Sequence, residues 1–152
     1  MERDQLIEVC AGNEDALRLC LAWRAFCHQL DDIEDGDNPD NLADDKVIGT
    51  QSAWFLETQL NPFWLQHKER LLPLVEISFN AWLDANGWER GTPEQQVAAD
   101  VLKGWYHELI FYCARLAGGW EHYRAVTTKF REYDFDSLNK IALVDRDTLP
   151  ET

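Results

Sequence analysis

Residues 13–35, NEDALRLCLAWRAFCHQLDDIED, decide the fold of this chain. Asn13, followed by Glu14 and Asp15, is typical of a helix start, because the asparagine side chain accepts an early backbone N–H and acids favour the first turn. Apolar residues then recur at helical spacing around more than half of the circumference, namely Leu17, Cys20, Leu21, Trp23, Phe26, Cys27, Leu30 and Ile33. This pattern predicts a largely buried helix that ends in the turn-rich residues 35–40.

Further helix signals follow along the chain, and no stretch alternates with the period of a strand. They predict helices over 45–60, from Pro62 to 86–87, from the Thr92 capping box to Arg115 or Leu116, and from Trp120 to about 133, with a kink or break near Pro73 and a polar tail over 134–152. The sequence therefore predicts an all-α, single-domain bundle of five or six helices around a buried first long helix. Its expected core includes Trp23, Phe26, Leu30, Phe79, Trp82, Trp105, Leu109 and Tyr112.

Composition narrows the function classes. Seven Trp, seven Phe and four Tyr in 152 residues exclude a disordered linker. Acids outnumber bases by 28 to 14, for a net charge of −14, which disfavours binding to nucleic acid or to an anionic membrane. The four cysteines have no zinc-site spacing, and neither a signal peptide nor a membrane-spanning run is visible. We therefore expect a cytoplasmic protein.

The most informative motif is Asp31-Asp32-Ile33-Glu34-Asp35 at the end of the first long helix. Asp31 and Asp35 are four residues apart and share one face, with His28 in the same sector. Acids at this helix end repel each other and face the negative end of the helix dipole, so a neutralising cation would explain them. Mg²⁺ is the natural candidate, because it binds one or two carboxylates and shares its remaining positions with phosphate.

A solvated acidic surface is the alternative explanation. Residues 31–45 contain eight acids and no base, which suits an exposed acidic loop. The two interpretations remain open at this point.

Two further places offer polar partners for the motif. Glu76, Asn80 and Asp84 are spaced four apart and border an apolar sector, where they either face a cavity or lie at a boundary. Glu108 has apolar helical neighbours, so it needs a partner or takes up a proton. It is either a functional carboxylate that supports the site or a core glutamate bonded to a Trp, Tyr or Arg.

The DDIED sequence matches DDxxD and resembles the first aspartate-rich motif of class I isoprenoid (terpenoid) synthases. The resemblance implies an isoprenoid-synthase-like helical fold in which Asp31 and Asp35 bind Mg²⁺, Asp32 supports them and the metal holds a substrate diphosphate. The family's second metal site has the i, i+4, i+8 spacing seen at Glu76, Asn80 and Asp84, although with acid and amide in a different order.

The general layout also resembles small uncharacterised proteins encoded by bacteriophages, which would place the chain in a bacterial cytoplasm. This resemblance is carried by the Cys27-His28…DDxxD helix, Asn61-Pro62-Phe63, residues 80–84, and Tyr106-His107-Glu108-Leu109 closing on Gly118-Gly119.

Three functions follow as alternatives. The first is a Mg²⁺-dependent protein that binds or converts a diphosphate, and the second is a non-enzymatic module whose acidic surface binds a basic protein partner. The third is an all-α nucleotide pyrophosphatase, although the EExxE block of that family is missing. The sequence leaves open whether the protein is an enzyme.

Overall fold

The computed structural model describes residues 1–132, and the predicted polar tail 134–152 lies outside them. The helices are α1 (Arg3–Val9), α2 (Glu14–Asp35), α3 (Asp44–Leu60), α4 (Pro62–Trp88), α5 (Pro93–Lys103) and α6 (His107–Phe130), with 3₁₀ turns at Pro39–Leu42 and Gly104–Tyr106. Residues 1–132 contain no strand. The all-α prediction is therefore confirmed for the described part of the chain.

The described chain divides into two compact units, and the division falls inside α4. One unit comprises Met1–Pro73 and Glu108–Arg131, and the other contains Leu74–His107. The single-domain interpretation stays a prediction.

The helix starts follow the predicted capping chemistry. The Asn13 Oδ1 atom accepts a hydrogen bond from the Ala16 N–H at 2.9 Å and so caps α2. Asn61 caps α4 through Oδ1, which accepts the N–H groups of Phe63 at 2.8 Å and Trp64 at 3.2 Å. Thr92 and Gln95 form the reciprocal capping box of α5. Local sequence therefore sets where these three helices begin.

The first unit is built around α2. Trp23 is fully buried, and its ring lies 6.1 Å from the ring of Phe26 and 4.9 Å from that of Trp54 on α3. The Trp54 ring in turn meets Trp64 of α4 edge-on at 5.7 Å. This aromatic cluster joins three helices, as the buried-helix prediction for residues 13–35 requires. Ile33 departs from that prediction, because it is 49% exposed near the end of α2.

The second unit contains the end of α4, α5 and the following 3₁₀ turn. The Ser78 hydroxyl donates to the Leu74 carbonyl at 2.7 Å and lies 3.4 Å from the carbonyl of Trp105. Lys103 and Glu89 form an ion pair, and Ala99 is fully buried. These contacts hold the elements of this unit together.

The helix predicted from Thr92 to Arg115 or Leu116 is wrong in its middle. It ends at Lys103, and the 3₁₀ turn Gly104–Tyr106 separates it from α6. Glycine has a low helix propensity, which favours an interruption at this point. The interruption also overturns the predicted burial of Trp105, whose side chain is 38% exposed.

The two expected helix breakers behave differently. The helix α4 continues through Pro73, so a break there is wrong. Both Glu69 and Pro73 are exposed, so water can satisfy the carbonyl that proline leaves without a donor. Gly119, in contrast, interrupts α6 as predicted, with φ 85° and ψ −178°, a conformation that a residue with a Cβ rarely adopts.

Candidate functional site

The acidic motif lies in the last turn of α2, where the predicted turn begins. Gly36 ends the helix in the left-handed conformation, with φ 70°. The backbone carbonyl of Asp32 accepts the N–H groups of Gly36 and of Asp37. Asp31 is partly buried and Asp35 is exposed. The helix end therefore brings the motif to the surface and turns the chain sharply into residues 36–43.

The Asp32 carboxylate serves this turn. Its Oδ1 atom accepts the Asn38 amide at 2.7 Å, and its Oδ2 atom accepts the Asn41 amide at 2.6 Å. Both oxygens thus have neutral donors. The structure places Asp32 in a loop-fixing role, while its supporting role toward a metal stays a prediction.

Gln29, one turn before Asp32 on α2, also binds the chain between α2 and α3. It is fully buried, and its Nε2 atom donates to the backbone carbonyls of Asn41 at 3.3 Å and Lys46 at 3.2 Å. Its Oε1 atom accepts the side-chain amide of Gln51 on α3 at 3.2 Å. A buried amide with these partners ties α2 to the turn and to α3. Sequence reasoning missed this residue, although a polar side chain within an apolar run was a visible signal.

His28 lies on the exposed side of α2. The pKa of His28 is lowered, first because nearby protein atoms displace part of its water, and then because the Arg24 guanidinium and the N-terminal ammonium are close. Asp31 and Asp32 act in the opposite direction but do not outweigh these causes. The environment therefore favours a neutral imidazole.

The other predicted partners lie on α6 and α4. Glu108 lies in the first turn of α6, and the Nη1 and Nη2 atoms of Arg131 face its carboxylate oxygens, with Nη2 3.3 Å from Oε2. Arg131 also lies over the Phe111 ring at 5.0 Å. A glutamate bonded to an arginine is one of the two alternatives that the sequence left open. Asn80 and Asp84 are exposed on the part of α4 that belongs to the second unit.

The metal-site hypothesis has limited support in the geometry. Within residues 1–132, no three His, Cys, Asp or Glu side chains lie close enough together to hold a metal ion. The carboxylates of Asp32 and Glu108 have the amide and guanidinium partners described above. Asp31 and Asp35 have the i, i+4 spacing of the predicted Mg²⁺ ligands.

A second feature adjoins the motif and was not predicted as functional. We use the name acidic segment for residues 31–45, whose exposed acids are Glu34, Asp35, Asp37, Asp40, Asp44 and Asp45. It leads directly into α3. The outer face of α3 carries four exposed apolar side chains: Ile48 at 67%, Phe55 at 60%, Leu56 at 51% and Leu60 at 70%.

These four positions lie within less than half of the helix circumference, given 100° per residue. The other side of α3 carries Val47 and Trp54, which are partly buried. A helix with apolar residues on both sides usually has both sides covered. The signal was visible in the sequence, because residues 47–60 are apolar at positions that cannot all face one core.

No protein-family profile, curated protein or solved structure matches this chain. The resemblance of the DDIED motif to isoprenoid synthases and that of the layout to small phage proteins therefore stay predictions. None of the helices within residues 1–132 combines the length and apolar character needed to cross a bilayer.

Proposed function

We propose that the chain is a non-enzymatic interaction module that binds a basic, amphipathic helical segment of a partner protein. The observation that carries this proposal is the outer face of α3, where four large apolar side chains are 51–70% exposed beside the acidic segment. Exposed apolar patches rimmed by charge mark interaction surfaces more often than scattered single residues do.

The apolar part supplies the driving force for binding. Burying a leucine, isoleucine or phenylalanine side chain completely contributes about 1.5–3 kcal/mol. Ile48 and Leu60 are separated by twelve residues, which corresponds to about 18 Å along a helix. A partner helix of about three turns matches this length and would present its own apolar residues at helical spacing.

The acidic part decides which partner fits. Asp44 and Asp45 begin α3, and their side chains are exposed at the same end as Ile48. The chain carries a net charge of −14, which opposes association with a second copy of itself. A partner with lysine or arginine flanking its apolar face is attracted by the same charge, which raises the association rate and selects the orientation.

Calorimetric titration with a synthetic probe tests this proposal. The probe is an 18-residue peptide of leucine and lysine with all leucines on one helical face. We expect saturable one-to-one binding with a Kd of roughly 1–100 µM that weakens as salt is added.

Two control peptides separate the contributions. A peptide with glutamate in place of every lysine should not bind, and a scrambled leucine–lysine peptide without an apolar face should bind at least about tenfold more weakly. Equal binding of the scrambled peptide would show that binding depends on charge alone and not on an apolar face. If no peptide binds, the proposal is overturned. A stable dimer of the protein alone, lost on Leu60→Ser, would identify a second copy as the occupant instead.

Mg²⁺ binding, with a diphosphate as shared ligand, is the second candidate function. It is supported by the placement of Asp31 and Asp35 one turn apart at the C-terminal end of α2, where the last turn contains no basic residue. A bound Mg²⁺ would relieve the repulsion between these carboxylates and their unfavourable interaction with the helix dipole.

Thermal unfolding tests the second candidate. Millimolar Mg²⁺, alone or with pyrophosphate, should raise the melting temperature of the wild-type protein through linkage. The increase should disappear in Asp31→Asn/Asp35→Asn. An unchanged wild-type melting temperature would exclude this function and leave the peptide-binding proposal untouched.

A further inference from the structure

Three of the four cysteines are fully buried in the first unit. Cys10 and Cys20 are fully buried, and their sulfur atoms lie 3.8 Å apart. Cys113 of α6 is also fully buried, and its nearby thiol contributes to raising the pKa of Cys20. All three are free thiols, as is the partly buried Cys27. Two sulfurs in van der Waals contact need to approach by less than 2 Å to reach the disulfide bond length of about 2.05 Å.

The chain reversal between α1 and α2 creates this contact. Cys10 is the residue directly after α1, and Asn13 caps the next helix. Between them, Ala11 with φ 51° and Gly12 with φ 76° are both left-handed, which turns the chain back on itself. The Asn13 N–H donates to the Cys10 carbonyl at 2.9 Å and closes the turn. The reversal brings Cys10 against the second turn of α2, where Cys20 lies.

Access to the thiols depends on α1. This helix has seven residues and is held to α6 by the Glu8–Lys129 ion pair at 2.8 Å and by His122 Nε2, 2.9 Å from the Val9 carbonyl. The pKa of the Cys10 thiol is raised by its hydrogen bond with Cys20 and by burial. A protonated thiol reacts slowly with oxidants. Because both thiols are also buried, we expect an oxidant to reach this pair only when α1 opens locally.

We propose that Cys10 and Cys20 form a reversible disulfide bond that staples α1 to α2 under oxidising conditions. With hydrogen peroxide as oxidant, Cys10 first gives a sulfenic acid and one water. The Cys20 sulfur then attacks that sulfur, the S–S bond forms and a second water leaves. The two thiols lose two hydrogens in total, and peroxide is reduced to two waters. A dithiol reductant returns the two electrons and restores both thiols.

Peptide mapping of the oxidised wild-type protein tests the proposal. The native protein is treated with hydrogen peroxide, alkylated in denaturant and digested with trypsin without reduction. Cys10 lies in peptide 4–18, Cys20 in 19–24, Cys27 in 25–46 and Cys113 in 104–115. We expect 4–18 joined to 19–24, two hydrogens lighter than the separate peptides, and a melting temperature raised by roughly 5–10 °C that a reductant reverses.

Variants test which two cysteines are linked and whether α1 limits access to them. Cys113→Ala should retain the link, and Cys10→Ala should lose it. Lys129→Gln, which loosens α1, should accelerate the reaction about two- to fivefold, whereas Lys68→Gln on the exposed surface should not. A link between 19–24 and 104–115, or recovery of Cys10 and Cys20 as alkylated thiols after oxidation, would overturn the assignment.

Discussion

The Asp32 carboxylate accepts the side-chain amide of Asn41 at 2.6 Å, across nine residues of chain. This bond ties the last turn of α2 to the 3₁₀ turn that precedes α3, and Asn38 supplies a second donor to the other carboxylate oxygen at 2.7 Å. The middle acid of the DDIED motif therefore fixes the path of the acidic segment. Asp37 and Asp40, inside the same segment, are exposed, as a partner-facing surface requires.

Substitutions within the motif should have opposite effects on stability. Asp32→Asn places an amide N–H₂ against one of two amide donors and should lower the free energy of unfolding by about 1–2 kcal/mol. Asp35→Asn removes a carboxylate from the negative end of the helix dipole and should raise stability by about 0.3–1 kcal/mol. Urea unfolding of the two variants measures both values. An equal loss in both would contradict the loop-fixing role of Asp32.

Gln29 should be one of the most sensitive polar positions. Gln29→Ala leaves two backbone carbonyls and the Gln51 amide without this partner and opens space in the core, which should cost about 2–4 kcal/mol. Gln59→Ala, on the exposed side of α3, is the matched control and should change stability by less than about 0.5 kcal/mol. A loss below 1 kcal/mol for Gln29→Ala would show that the buried amide does not hold the segment.

Tryptophan substitutions should separate core from surface. Trp23 is fully buried, so Trp23→Ala should cost about 3–5 kcal/mol. Trp120 is 60% exposed, so Trp120→Ala should cost under about 1 kcal/mol. Chemical denaturation provides the comparison, and similar costs at the two positions would contradict the described packing of α2.

Whether a contact could be predicted from the sequence depends on how many residues separate its two partners along the chain. Asn13, Asn61 and Thr92 bind backbone groups two or three residues away, so sequence alone placed the starts of their helices correctly. The Glu108–Arg131 pair spans 23 residues and the Gln29–Gln51 bond spans 22. No local pattern specifies such partners, because they depend on how the helices pack.

The same distinction explains the errors. The interruption at Gly104 and the exposure of Trp105 follow from a competition between helix continuation and tertiary contacts such as Ser78 with the Trp105 carbonyl. Helix periodicity predicts where a helix continues, but it carries no information on tertiary contacts. The DDIED motif was placed correctly at a helix end, yet the asparagine partners of its middle acid become visible only in the folded turn.

Stability should also depend on pH through His28. Because the pKa of His28 in the folded state is lowered from 6.5, the unfolded state takes up a proton first as the pH falls. The contribution of neutral His28 to the free energy of unfolding is therefore fully present above about pH 6.5. It decreases as the pH falls below that value, until the pH reaches the folded-state pKa. His28→Gln should weaken this decrease between pH 7.5 and 5.5 in urea unfolding experiments. An unchanged pH dependence would show that His28 has the same proton affinity in both states.

The most direct test of the proposed interaction surface is the affinity of the leucine–lysine peptide for two matched leucine variants. Leu60 is 70% exposed on the outer face of α3, and Leu83 is 62% exposed on α4, so neither substitution by serine removes a buried contact. Leu60→Ser should weaken peptide binding by about 5- to 30-fold, because one apolar anchor is lost, while Leu83→Ser should leave the Kd unchanged. Equal affinities for the two variants would contradict the assignment of the outer face of α3 as the binding surface.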